Sequence, residues 1–298
     1  MFLTSSYTLL SNLEHKIENH ALVGMAVYEG DRLDWIKQAI KSVLTQSYQD
    51  FTLIIVIDGE VHNDVYTLLV NLEHQHNNLI LLKTTENQGL SVCMNLIVDL
   101  FVKKNTQYFF RMDADDISMK DRFLKQVQFF EQNPNIDILG TALIEINEKG
   151  KKVGSRKLPI KHHEILRILP KRCAINHPTV ALRAGIFKDG FRYRGDLKNT
   201  QDYFLWAELC ANNYIFANLP KALLKFRRVN DFYKRRGLSK SINEFKARFY
   251  TMKVLKRYSM GNIVYACAVL FLRLMPAKLV KLAYKIDRYL LNKRVRHE

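Results

Sequence analysis

The chain has 298 residues, 48% of them hydrophobic and 25% charged, with only 12 Gly and 6 Pro; this excludes disordered, collagen-like and linker-rich chains. Cys93, Cys173, Cys210 and Cys267 lie far apart without a C-x-x-C pair, so zinc ribbons and secreted disulfide frameworks are poor readings and a reducing compartment fits. The net charge of +17 sits at one end: residues 221–298 carry 21 Lys/Arg and 4 Asp/Glu, whereas residues 1–220 carry 25 of each.

The start of the chain, MFLTSSYTLL, lacks the basic start and continuous apolar stretch of a signal peptide. Residues 21–28 (ALVGMAVY) predict a buried strand. Residues 32–45 predict a helix, with Ile36, Ile40, Val43 and Leu44 on one side. FTLIIVI at 51–57 is a near-continuous apolar strand, which implies cover on both sheet faces. A helix over 63–73, a strand over 79–82, a helix over 90–103 and a strand over 108–112 complete an alternation. Such alternation predicts a mostly parallel α/β sheet with flanking helices. Further on, the pattern predicts a helix over 121–131, a strand over 136–146, a short helix over 162–169, a strand after His177-Pro178-Thr179, and a helix over 203–211 capped by Thr200 or Asp202.

The basic end has its own pattern. Residues 263–272 form an apolar run of ten, too short to span a bilayer. After Pro276, residues 277–293 place Leu279, Leu282, Ala283, Ile286 and Leu290 on one helical face. Lys278, Lys281, Lys285 and Arg288 lie on an adjacent face. This pattern predicts a helix lying on an anionic membrane surface. No recognition helix or aromatic-rich RNA motif accompanies the charge, so nucleic acid is not the expected partner.

Ligands of parallel α/β sheets bind beyond the carboxyl ends of the strands. Polar clusters stand at those ends: Tyr28-Glu29-Gly30-Asp31, Asp58-Gly59, Glu86-Asn87-Gln88-Gly89 and Asp113-Ala114-Asp115-Asp116. The last is the sharpest. Three carboxylates within four residues repel one another unless a cation sits among them, and a hard ion such as Mg²⁺ or Mn²⁺ takes carboxylate and phosphate oxygens together. Arg227, Arg228, Arg235 and Arg236 flank Asn230-Asp231 and are candidates to grip a diphosphate.

The segments VGMAVYEG, FTLIIVIDGE, ENQGLS, RMDADDIS and TQDYFLW together resemble glycosyltransferase family 2 in order and spacing, over roughly residues 20–230. RMDADDISMKDRF, NHPTV and LLKFRR resemble its branch active in bacterial surface-polysaccharide assembly. The resemblance implies a GT-A fold over 1–230 with a basic helical extension over 231–298. It implies an inverting, metal-dependent hexosyltransferase using a nucleoside-diphosphate sugar, by default a UDP-sugar, and a saccharide or lipid-linked acceptor. Residue by residue, it implies that Ala26, Tyr28 and Glu29 contact the nucleotide base, that Asp58 reads the base, and that Asn87, Gln88 and Gly89 lie beside the nucleotide. It places Asp113 near ribose and metal, makes Asp115 the ligand of Mn²⁺ or Mg²⁺, and makes Asp202 the general base. Three positions depart from the common pattern: Ile57 replaces the first Asp of a usual Asp-Asp-Gly-Ser turn, Gln88 stands where Arg or Lys is frequent, and Gln201 stands where Glu is usual. His177 and Trp206 are candidate acceptor contacts, each weighed against a packing role.

The expected setting is the cytoplasm, peripheral at the inner face of the cell membrane. Two other readings stand beside this one. A nucleotidyltransferase would carry a Gly-rich, basic loop after the first strand, where this chain has Tyr28-Glu29-Gly30-Asp31. A catalytically inactive basic membrane or nucleic-acid adaptor would turn over no nucleotide sugar.

Overall fold

A computed structural model describes residues 6–11, 20–102, 105–197, 199–229 and 238–274. In chain order the elements are β1 (Tyr7–Leu9), β2 (Ala21–Val27), α1 (Leu33–Leu44), β3 (Phe51–Ile57), α2 (Asn63–Gln75), β4 (Leu79–Thr84), α3 (Leu90–Phe101) and β5 (Tyr108–Arg111). Then follow β6 (Ile117–Ser118), α4 (Arg122–Gln132), β7 (Ile138–Ile146), β8 (Lys152–Arg156), α5 (His162–Ile168), a 3₁₀ turn (His177–Thr179), β9 (Ala181–Arg183) and α6 (Gly185–Lys188). The last are α7 (Gln201–Ala211), β10 (Phe216–Arg227), α8 (Leu238–Val254) and α9 (Met260–Leu274).

The strands form one sheet in the order β1-β4-β3-β2-β5-β9-β7-β10-β6, with β8 paired to β7. β4, β3, β2 and β5 are mutually parallel. β9 runs antiparallel to both β5 and β7, and β10 is parallel to β7. The carboxyl ends of β2, β3, β4, β5, β7 and β10 therefore share one edge, and the polar clusters fall on it.

Alternation along each strand loads both faces. Val23, Met25 and Val27 join α1, α2 and the Phe123, Val127 and Phe130 side of α4. Leu22, on the other face, joins α3, Trp206, Phe204 and Leu205 of α7, and Phe187. β3 is buried throughout, as its unbroken apolar sequence requires of a strand covered on both sides.

The order of the early elements agrees with the sequence reading. Four strands do not show in it: β1, the two-residue β6, β8 and the twelve-residue β10. β10 is interrupted at Pro220-Lys221, where its register against β7 shifts, so its period of two is broken.

Of the stretch expected as an extension beyond residue 230, α8 and α9 are described. α8 docks on α7: Ala247, Thr251 and Met252 are fully buried, Tyr250 Oη donates to Glu208 Oε1 at 2.8 Å, and Arg248 Nε donates to the carbonyl of Lys171 at 2.7 Å. Burial of this kind makes α8 part of the same core. The apolar run of ten lies within α9. Among the described residues no helix is long and apolar enough to cross a membrane. The amphipathic pattern at 277–293, and Arg235 and Arg236, lie outside the described residues.

Candidate active site

The shared strand edge is built first by a glycine turn. Gly59 follows β3 with φ +80°, and a Cβ there would come within 2.7 Å of the backbone nitrogen of Asn87. Only glycine meets both conditions. The close approach brings the loop 86–89 against the end of β3. Asp58 then fastens it: Oδ1 accepts from the N–H of Gln88 at 2.7 Å and from Thr84 Oγ1 at 3.2 Å, and Oδ2 accepts from the N–H of Gly89 at 2.9 Å. These amides stand at the amino end of α3, where N–H groups lack helical partners. Asp58 is buried and both of its oxygens are engaged. The residue expected to read a nucleotide base thus moors the loop 86–89 through its carboxylate. Asn87 lies on the surface, whereas Gln88 and Gly89 are partly exposed; Gln88 Nε2 donates to Glu86 Oε1 at 3.0 Å.

Beyond β2 the chain turns back at once. Asp31 N–H donates to the carbonyl of Tyr28, and Asp31 Oδ2 accepts from the N–H of Tyr28, each at 3.0 Å. The Tyr28 ring covers Gly30, where a Cβ would clash with it, and Tyr28 and Glu29 are exposed. Ala26 is half-buried and level with Val56 of β3. Asp31, Arg32, Asp34, His62 and Asp64 line an open cleft of about 430 Å³ beside this turn.

β5 delivers the acidic corner. Asp113, Asp115 and Asp116 each bring a carboxylate oxygen within 4.8 Å of the others. Arg111, buried at the end of β5, forms an ion pair with Asp113. Burial alone would lower the Arg111 pKa, and the Asp113 carboxylate more than offsets it. Arg122, fully buried on α4, donates from Nη2 to the carbonyl of Arg111 at 2.8 Å. Its pKa falls to about 9 because it is buried and faces Arg111.

Arg227 closes the corner from β10. Its N–H donates to Asp116 Oδ1 at 2.8 Å and its Nε to the carbonyl of Asp115 at 2.9 Å. Nη1 reaches the carbonyl of Glu148 and Nη2 reaches Gln38 Oε1. The guanidinium also lies 5.0 Å from the Trp35 ring.

Negative charge exceeds positive at this corner. Burial, then repulsion from Asp113, raises Asp115 to about 6. Burial, then Asp115 and Asp113, raises Asp116 well above its ordinary value. Asp31 rises to about 7 through burial, with Asp115 and Asp113 adding to it. Asp116 Oδ2 is buried without a hydrogen-bond partner. Converging hard oxygens, one of them unpartnered, fit a divalent cation. The three residues that would hold it are Asp113, Asp115 and Asp116.

Asp202 sits in the first turn of α7. It follows Thr200, whose φ of 63° is left-handed, an unusual conformation for a residue that is not glycine. Burial raises its pKa, while the nearby backbone amide of Tyr203 and the positive charge of Arg111 oppose the rise. Arg111 is thus within electrostatic reach of both Asp113 and Asp202.

The two candidate acceptor contacts fare differently. Trp206 has no exposed surface and packs against Phe216. It cannot stack on an acceptor from there, so that expectation is corrected to core packing. His177 is half-buried, with its ring between Tyr193 and Trp206. Its Nε2 is 3.1 Å from Tyr193 Oη.

Arg111 and Arg122 belong to this site and do not stand out in the sequence; Asp31 and Asp116 stand within the polar strand-end clusters and Arg227 among the candidate diphosphate grips, and the structure gives them the contacts above. The position of Arg111 two before Asp113 is the available signal; for the place of Arg227 at the acidic corner there is none, because β10 itself does not show.

The profile of "Glycosyl transferase family 2" matches residues 23–191. An uncharacterized glycosyltransferase of Haemophilus influenzae is 31% identical over 88% of this chain and 96% of its own. The amylovoran biosynthesis glycosyltransferase AmsE of Erwinia amylovora is 27% identical over 89% of this chain and 97% of its own. Among solved structures, S. aureus TarS 1-349 in complex with UDP-GlcNAc superposes with a TM-score of 0.57 at 16% identity, covering 87% of this chain and 82% of that one; this likeness establishes a shared GT-A fold. With the matched span holding both the acidic corner and the loop that Asp58 fastens, this chain belongs to glycosyltransferase family 2.

Proposed function

We propose that this protein is an inverting, metal-dependent transferase that moves one sugar from a nucleoside-diphosphate sugar to a saccharide acceptor. The observation that carries this reading is the corner of Asp113, Asp115 and Asp116, whose buried Asp116 Oδ2 has no partner. A divalent ion bound there, Mn²⁺ or Mg²⁺, would supply Lewis-acid stabilisation of a leaving diphosphate. The exposed Tyr28 and Glu29, with Ala26 behind them and the loop Asn87-Gln88-Gly89, form the wall on which the nucleoside would lie.

Asp202 acts as general base. Its carboxylate takes the proton of the acceptor hydroxyl as that oxygen bonds to C1 of the sugar and the bond from C1 to the diphosphate breaks. Attack from the face opposite the leaving group inverts C1. Its place in the first turn of α7 favours the ionised form, as helix amino ends do for anions.

The donor is a UDP-sugar; TarS, of the same fold, was crystallised with UDP-GlcNAc. The acceptor belongs to cell-surface polysaccharide assembly, in keeping with the amylovoran role carried in the name of AmsE. It is lipid-linked, and the enzyme works as a peripheral protein at the cytoplasmic membrane face, a reading supported by the 21 Lys/Arg gathered in residues 221–298.

The test is a panel of nucleotide sugars incubated with the full chain, with Mn²⁺ or with chelator, scored by release of nucleoside diphosphate. One donor should be turned over with metal and not in chelator. Full turnover in chelator would refute the metal role, and absence of turnover or binding of any nucleotide sugar would refute the transferase reading.

A further inference from the structure

Among the described residues, one face of α9 has no partner. At 3.6 residues per turn, Met260, Val264 and Phe271 fall on a single narrow stripe, and they are 76%, 57% and 62% exposed. Cys267, also exposed, lies on the same stripe. It runs for about 16 Å at 1.5 Å per residue. The opposite side holds buried Ala266 and packs toward α8. Continuous apolar surface of this kind marks a site of interaction.

The charges around the stripe identify its occupant. Lys253, Lys256 and Arg257 are exposed just before α9, and from Met260 through Leu272 the helix carries no charged residue. Exposed Tyr258 stands between the cations and the stripe, the level at which tyrosine rings settle in a membrane interface. A second copy of this chain would set one cationic end against another. An anionic lipid surface offers both an apolar interior for the stripe and opposite charge for its flank.

We infer that the Met260–Val264–Phe271 face of α9 is the element that this enzyme lays into an anionic bilayer. The inference deepens the proposal of a lipid-linked acceptor by naming the surface that brings the active site to it. Apolar burial holds the helix in the interface, and the cations draw it there and make binding salt-dependent.

The experiment is flotation of the full chain with vesicles of phosphatidylcholine and phosphatidylglycerol, beside phosphatidylcholine alone. The wild type should float with the anionic vesicles at low salt, and less with the neutral ones. Val264→Glu combined with Phe271→Glu should cut the bound fraction roughly tenfold and leave nucleotide-sugar turnover in solution unchanged. Phe271→Trp keeps the stripe apolar; its added emission should shift to the blue when anionic vesicles are mixed in. Failure of the wild type to float, or flotation of the double variant at wild-type levels, overturns the inference. So does a wild-type dimer in sedimentation that the double variant breaks while flotation is unchanged. Asp202→Asn should abolish transfer and float normally, so failure of the catalytic reading and failure of the membrane face give different results.

Discussion

The backbone N–H of Arg227 donates to Oδ1 of Asp116 at 2.8 Å across 111 residues of sequence. That bond joins the end of β10 to the acidic corner after β5. The Arg227 side chain extends the tie to the Asp115 carbonyl, Glu148 and Gln38. Two halves of the sheet, separated by the antiparallel β9, are thereby registered at the point where the carboxylates converge.

Replacing the side chain tests the tie. Arg227→Met keeps the backbone bond to Asp116 and removes the side-chain bonds to the Asp115 and Glu148 carbonyls and to Gln38, which costs about 1–3 kcal/mol. Arg227→Lys should recover little, because a point charge cannot serve acceptors spread around a planar fork. The expected result is a lower urea midpoint and weaker Mn²⁺ binding by calorimetry for both variants. A variant with wild-type values in both measurements would show that the tie is incidental.

Asp116→Asn separates stability from function. Without a cation, the Asp116 carboxyl is buried beside Asp115 and Asp113, and that crowding opposes its charge. The amide removes the repulsion while its oxygen still accepts from Arg227 N–H. The metal-free variant should melt above the metal-free wild type. Its response to Mn²⁺ should be lost, whereas a wild type at a hundredfold excess of ion over Kd gains about 2.7 kcal/mol. Thermal shift with and without Mn²⁺ reads both effects; equal Mn²⁺ shifts in the two proteins would exclude Asp116 from the ion's coordination.

Asp58→Asn should act through the loop it holds. An amide keeps one acceptor and turns its other atom toward a backbone N–H, so the bond to Gln88 or to Gly89 is lost. Losing one charge-assisted bond costs about 1.5–3 kcal/mol. Because Asn87, Gln88 and Gly89 lose their mooring, the donor KM should rise several-fold with a smaller change in kcat. A large fall in kcat at constant KM would contradict this positioning role.

These variants also mark what the sequence could and could not reveal. The strands up to β5 are legible because each is a compact apolar run between polar turns, and their polar ends fall on one edge by a general property of parallel sheets. The convergence of Asp113, Asp115 and Asp116 is local, so spacing alone conveys it. Arg227 is not local: its place at the corner depends on β10 pairing with β7 across a register shift. The mooring role of Asp58 follows from its contacts 30 and 31 residues away, which a turn motif does not encode. Trp206 shares a helix side with Asp202, yet one turn carries it about 6 Å farther along α7, away from the helix's amino end and into the core beside Phe216.

Asp202 sets the acid side of the activity profile. Burial lifts its carboxyl above the ordinary value of 3.8, against the nearby backbone amide of Tyr203 and Arg111. A base must be ionised to accept a proton, so kcat/KM should fall on acidification with a midpoint above 3.8. Asp202→Asn should lower turnover about 10²–10⁴-fold and leave donor affinity by calorimetry nearly unchanged. Loss of donor binding with turnover intact would remove Asp202 from the role of base.

His177 gives a stability effect of opposite sign to that of the buried carboxyls. Burial, and then the charge of Arg111, holds its imidazole well below the ordinary value of 6.5. The unfolded chain therefore binds more protons at this residue than the native one, so its contribution is full above about pH 6.5 and is lost as the pH falls below that. Asp31, raised to about 7, and Asp202 bind more protons when folded and gain stability on acidification. Both proteins in a comparison with His177→Gln share those carboxyls, so the difference isolates the ring. The glutamine can still bond Tyr193 Oη, which His177 meets at 3.1 Å, and it does not titrate. The advantage of wild type over variant in urea midpoint should shrink or reverse between pH 8 and pH 5. A difference that stays constant over that range would mean that the His177 imidazole takes its proton as readily in the folded chain as in the unfolded one.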